Sequence, residues 1–233
     1  MKTLGVRPQF SSYTPAEISL LKASPVVLFP TQRFVGVFQA SSKPTFPSPF
    51  SYHFRKWRIS QWNLASYFDL PRIKTVCYSR SVTPREILDN FSFPVRILGL
   101  KNDRSPGLLL KTKKELVNFL SSNRRMIIVQ EEPQRIIAKI SLLFIFYRWV
   151  GLINVVGIKN VPISVLERSS EVIRKAQIDD IAVDWILTDE GWLFSGMNYP
   201  PLFFYSPDHV PVSRKKFLCE TIREIATEWG WGH

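Results

Sequence analysis

The residues able to do chemistry in this 233-residue chain are scattered carboxylates, amides and cations rather than nucleophiles. Its three histidines, His53, His209 and His233, lie far apart, and none has a cysteine at ligand spacing, so they define no metal site. No serine or cysteine sits in a nucleophile pattern. Asp184 lies between Val183 and Trp185, Asn198 precedes Tyr199-Pro200-Pro201, and Gln130-Glu131-Glu132 form a polar run. Taken alone, Asp184 reads as a polar position on a half-buried strand and Asn198 as a turn residue. The two glutamates read as a solvated pair at a strand end.

Charge narrows the partners. Thirty-one Lys and Arg against 19 Asp and Glu give a formal net charge of +12, with a pI of about 9.9. Such a surface favours nucleic acid, nucleotide phosphates, a membrane headgroup layer or an acidic protein. No zinc-finger spacing, RRM signature or basic zipper occurs. With 45% hydrophobic and 21% charged residues the composition is that of a globular chain. Cys77 and Cys219 are too few for a disulfide framework, which predicts a reducing, cytoplasmic setting. The first residues lack the apolar core of a signal peptide. The most apolar stretch, 140–153, is interrupted by Arg148 and falls short of the roughly 20 residues of a membrane span.

Three helix starts are written in one device. Thr14-Pro15-Ala16-Glu17, Thr83-Pro84-Arg85-Glu86 and Thr112-Lys113-Lys114-Glu115 each put a hydroxyl at the N-cap and a carboxylate three residues later. Proline at the first helical position of the first two costs no hydrogen bond. Helices are therefore predicted over 15–22, 84–90 and 113–121, with others at 57–68, 167–176 and 214–229. Short apolar runs predict strands at 25–29, 34–38, 94–98, 107–110, 126–130, 138–149 and 153–156. A Ser/Pro-rich loop is expected over 40–51. A hairpin is expected from 182–187 to 192–194 through Thr188-Asp189-Glu190-Gly191. No internal repeat is visible, and the mixture indicates an α+β or α/β chain.

The order of these pieces resembles the ATP-grasp ligases of the RimK-like kind. Arg58-Ile59-Ser60-Gln61 opens a helix, and Leu70-Pro71-Arg72-Ile73-Lys74-Thr75 follows it. Phe93-Pro94-Val95-Arg96-Ile97-Leu98 looks like the next strand, and Gly107-Leu108-Leu109-Leu110 leaves a loop. Ile127-Ile128-Val129-Gln130-Glu131-Glu132-Pro133 is similar to the adenine hinge. Ile181-Ala182-Val183-Asp184-Trp185 and Leu193-Phe194-Ser195-Gly196-Met197-Asn198-Tyr199-Pro200 are similar to the paired metal-binding strands. The likeness covers about 54–205.

The resemblance implies an α+β, ATP-grasp-like fold: two subdomains with a nucleotide cleft between antiparallel sheets. It implies a domain over 53–233, hinged near 130–133, behind a reduced N-terminal segment over 1–52. ATP would meet Gln130, Glu131 and Glu132 at the hinge, and Arg58, Lys101 and Arg104 at its phosphates. Asp184 and Asn198 would hold Mg, and Arg148 would face phosphate or substrate. Two positions depart from the pattern. Leu98 stands where the family has its second lysine, and Gly196 stands where it has a bridging glutamate. Phosphoryl chemistry needs that charge. The expectation is a degenerate member acting as a binding or assembly subunit, able to retain nucleotide, with an acidic protein or nucleic acid as partner. The alternative is an active ATP- and Mg-dependent carboxylate–amine ligase. The closing run Trp229-Gly230-Trp231-Gly232-His233 suits either partner binding or a core.

Overall fold

The computed structural model describes residues 4–5, 7–102 and 105–228. The described residues up to Lys56 build a small helical layer. It comprises α1 (Pro15–Ala23), β1 (Val27–Leu28), α2 (Gln32–Ala40), β2 (Thr45–Phe46) and α3 (Pro49–Lys56), with β1 and β2 pairing in parallel. Trp57 alone separates α3 from α4 (Arg58–Tyr67). A four-stranded sheet follows, ordered β3-β6-β4-β5. Its parts are β3 (Thr75–Tyr78), α5 (Pro84–Leu88), β4 (Val95–Leu98), β5 (Leu108–Leu110), α6 (Lys113–Ser122) and β6 (Ile127–Glu131). The second half gives β7 (Ala138–Ile145), β8 (Arg148–Val156), α7 (Ile163–Lys175), β9 (Asp180–Thr188) and β10 (Gly191–Asn198). Then come β11 (Phe203–Tyr205), β12 (Pro211–Ser213) and α8 (Arg214–Glu228), and the sheet runs β10-β9-β7-β8-β11-β12.

The capping reading holds in detail. Thr14 and Thr83 each accept a bond from the N–H three residues on, while Glu17 and Glu86 accept from the cap's own N–H. At α6 the box is opened by one residue: Thr112 takes the Glu115 N–H, but the Glu115 carboxylate takes the Lys111 N–H at 2.6 Å.

Two local expectations in the N-terminal layer are overturned. Residues 34–38 belong to α2 rather than to a strand. Phe-Val-Gly-Val-Phe satisfies the strand period and the helix period equally, and packing decides: Phe34 and Phe38, four apart, share a helix face against Phe10. The Ser/Pro-rich loop ends early, because Ser48 caps α3 through the Ser51 N–H and Pro49 begins that helix.

Register sorts the side chains of both sheets. In the small sheet Val95, Ile97, Ile127 and Val129 pack under α5 and α6, so Arg96, Leu98, Ile128 and Gln130 face the other way. In the large sheet Ile140, Leu142, Phe144, Ile181, Val183 and Trp185 form the main core with α7. Ser141, Leu143, Ala182 and Asp184 occupy the opposite face.

Candidate functional site

On that opposite face the register lines up one row of polar positions: Asn154 of β8 beside Ser141 of β7, then Asp184 of β9, then Gly196 of β10. The row is closed by its own hydrogen bonds. Ser141 Oγ donates to Asp184 Oδ1 and Asn198 Nδ2 donates to Asp184 Oδ2. Asn198 Oδ1 in turn accepts from Asn102 Nδ2 at 2.9 Å. Burial pushes the Asp184 carboxyl above the ordinary aspartate range, and the bonds from Ser141 and Asn198 pull it back.

Gly196 is set into its place by the backbone. A bulge falls between Phe194 and Gly196, and Gly196 has φ +145°, which L side chains rarely adopt. A Cβ there would stand 3.4 Å from Gln61 Oε1. Gln61, buried in α4, uses its amide to take the Met197 N–H at 3.0 Å and to donate to the Met197 carbonyl at 2.8 Å. Asn102 Nδ2 reaches the same carbonyl at 2.9 Å.

Arg58 braces the loop that follows β4. Its backbone N–H donates to Leu100 O at 2.9 Å, and its guanidinium reaches Ser105 O at 2.7 Å and Gly99 O at 3.4 Å. Lys101 is exposed, with Nζ 5.7 Å from the Trp57 ring centroid. Arg104 lies outside the described residues. Leu98 is 7% exposed and belongs to the main apolar cluster with Trp62 and Ile128.

At the end of β6, buried Gln130 donates to Thr75 Oγ1 at 3.2 Å, and the N–H of exposed Glu131 goes to Lys74 O at 2.9 Å. Glu132 receives a two-pronged bond from Arg96, Nε at 2.7 Å and Nη2 at 2.6 Å. Arg96 Nη1 also donates to Pro106 O at 2.8 Å, joining the end of β6 to the loop before β5. Arg148 is exposed and pairs in register with Ile145. It therefore stands four residues along β7 from Ser141, about 13 Å from the polar row.

The structure thus gathers Asp184 and Asn198, with Asn102 bonded to Asn198 and Arg58 bracing Gly99 and Ser105, and leaves Arg148 apart. It adds Gln61, Asn102, Ser141 and Arg96, which sequence reasoning did not select. Arg96 carried a signal, since it lies two residues before Leu98 and shares its face. Ser141 carried none until register placed it opposite Asp184.

The ATP-grasp resemblance implies Mg, and these residues do not fit a two-ion magnesium site. They offer one carboxylate, whose two oxygens already accept bonds, and one amide oxygen already bonded to Asn102. Among the described residues, no group of three His, Cys, Asp or Glu gathers around a common point. Among the described residues, concavities lie elsewhere, one beside Arg7, Thr31 and Arg33 and one beside Trp149, Leu152 and His209.

No protein-family model and no curated protein sequence matches the chain. Solved structures do. It superposes on a RimK domain ATP-grasp protein from Sphaerobacter thermophilus with TM-score 0.59 and 14% identity, over 74% of this chain and 71% of that one. For the VanG D-Ala:D-Ser ligase from Enterococcus faecalis the values are 0.60 and 14%, over 76% and 64%. For N5-carboxyaminoimidazole ribonucleotide synthetase from Thermotoga maritima they are 0.61 and 14%, over 78% and 53%. The chain therefore spans 53% to 71% of the length of these three proteins. The two-sheet α+β scaffold of this chain is the ATP-grasp fold.

Proposed function

We propose that this chain is an ATP-grasp-fold binding or assembly protein whose cleft does not carry out ligation. The observation that carries the reading is the closed bonding of Asp184. Its two oxygens are taken by Ser141 and Asn198, and Gly196 beside them has a backbone suited to glycine. Leu98, buried among apolar side chains, supplies no cation to a phosphate. Nucleotide bound here would rest on the hinge at Gln130, Glu131 and Glu132 and on apolar walls, without a metal. The positive charge of the chain then serves an acidic protein or nucleic acid.

The adjacency of Asp184 and Asn198 favours a second reading, an ATP- and Mg-dependent carboxylate–amine ligase. Thermal unfolding with ATP in excess Mg and in EDTA separates the two. The binding-protein reading expects the same melting temperature shift, including none, in both conditions. A shift that requires Mg and disappears in Asp184→Asn would replace it with the ligase reading.

A further inference from the structure

Residues 1–56 hold seven of the chain's 31 Lys and Arg but only one of its 19 Asp and Glu, Glu17. Within this basic layer a concavity of about 490 Å³ opens between the segment before α1 and the start of α2. It is lined by Arg7, Pro8, Thr31, Gln32 and Arg33. Two arginines therefore share it with the N-terminus of a nine-residue helix. Among the described residues each guanidinium is held through one nitrogen. Arg7 Nη2 meets Glu17 Oε1 at 3.2 Å, with the Arg7 Cζ 5.8 Å from the Tyr13 ring centroid. Arg33 Nη1 donates to Pro8 O at 3.4 Å, which ties the two chain segments together.

The start of α2 lacks the usual cap. Thr31 stands at the N-cap, but its hydroxyl accepts no bond from the first turn, and that turn has no acidic residue. The Phe34 N–H goes instead to the Thr31 carbonyl at 2.9 Å. Thr31 Oγ1 is buried with no hydrogen-bond partner among the described residues, and the same holds for Arg7 Nε. Native proteins leave few buried polar atoms unbonded, and a bound ion is one reason for those that remain. Here two such atoms belong to residues of one concavity. One is a hydroxyl able to donate, and the other is a guanidinium N–H that can only donate.

These donors select the ligand. A carboxylate presents two oxygens in one plane, whereas a phosphate presents a tetrahedral set and a larger negative charge. Two guanidinium groups, a hydroxyl and the positive end of a helix, brought together from two segments, suit the phosphate. Only Pro8 among the five lining residues is apolar, so charge is recognised rather than a carbon skeleton. The nearby carboxylate, Glu17, is already engaged by Arg7 and by the Thr14 N–H at 2.8 Å. We infer that this concavity binds a phosphate group, as the free ion or as a small organic phosphate. Arg7 and Arg33 meet its charge, Thr31 Oγ1 donates to one oxygen, and the first turn of α2 offers its N–H groups to another. The inference goes beyond the reading of the cleft and stands or falls separately from it.

The test is equilibrium dialysis of the full chain against labelled inorganic phosphate and, separately, glycerol 2-phosphate. Arg33→Gln should weaken binding about ten-fold or more, the loss of a bond between charged groups. Thr31→Val separates a ligand contact from a helix cap. It should weaken phosphate binding while leaving the ligand-free melting temperature unchanged or raised, because the hydroxyl it removes has no partner. Lys114→Gln, an exposed lysine on α6, should leave binding unchanged. Tighter binding of glycerol 2-phosphate identifies an organic phosphate as the ligand and tighter binding of inorganic phosphate the free ion; either supports the inference. Absence of saturable binding to both, insensitivity to Arg33→Gln, equal competition by acetate, or a lowered melting temperature of ligand-free Thr31→Val would each overturn it.

Discussion

Gln61 holds Met197 by both of its backbone polar groups, accepting from the N–H at 3.0 Å and donating to the carbonyl at 2.8 Å. A helix side chain thereby completes the hydrogen bonding along β10 beside the position where the ATP-grasp resemblance implies a metal-bridging carboxylate. The relationship explains why glycine at 196 suits this backbone: the bulge, the positive φ and the nearby Gln61 oxygen form one arrangement.

Gln61→Ala leaves the buried Met197 N–H without its acceptor, while Asn102 still serves the carbonyl. One unsatisfied buried donor costs about 1–3 kcal/mol. Urea unfolding should show a lower midpoint with an unchanged slope. An unchanged midpoint would mean that water replaces the amide freely.

Arg55 joins α3 to the large sheet through Asp180. Its Nε donates to the Asp180 carbonyl at 2.9 Å, and its Nη2 reaches that carbonyl and the carboxylate. Arg214 meets the same carboxylate oxygen. The Arg55 guanidinium is also flanked by the rings of Tyr52 and Tyr199, at 5.7 and 5.6 Å. Breaking a buried pair by removing one partner typically costs about 3–5 kcal/mol, and Arg214 keeps Arg55→Met near the lower end. Thermal unfolding should show a large loss, whereas Lys175→Met, which breaks an exposed pair with Glu171, should show almost none.

Asp179 gives a pH signature. Burial pushes its carboxyl up, and the bonds it accepts from Ser48 N–H and Ser51 Oγ pull it back only in part. A carboxyl raised in the folded state favours folding while protonated, so its contribution is fullest below the ordinary aspartate value of about 3.9. That contribution is lost as pH rises through the folded value. Asp179→Asn, whose amide oxygen can accept the same two bonds, should be more stable than the parent at neutral pH. The difference should shrink as pH falls towards 4. Denaturant midpoints across this window measure it, and a difference that widens on acidification would contradict the assignment.

Much of the scaffold is legible because its signals are local. Thr14, Thr83 and Thr112 announce their helices, and Thr188 to Gly191 announces the β9–β10 turn. The β7–β8 turn was hidden: Phe146 and Tyr147 form it with φ of +51° and +63°, in place of the Asn or Gly that a tight turn favours. Phe146 is held there by stacking on Phe46 at 4.2 Å, a contact made with a segment a hundred residues earlier. A continuous apolar run therefore read as one strand. Site chemistry was legible only as residue types. That Ser141 and Asn198 would occupy both oxygens of Asp184 depends on three strands and their register, which pattern alone does not fix. The C-terminal run Trp229 to His233 lies outside the described residues.

The most direct test of the central claim is ADP production from Mg-ATP by the purified chain, with mixed carboxylate and amine substrates present. The account predicts no ADP above the buffer rate, and the same result for Asp184→Asn. Sustained ADP release that depends on Mg and on the added substrates, and is abolished by Asp184→Asn, would contradict it.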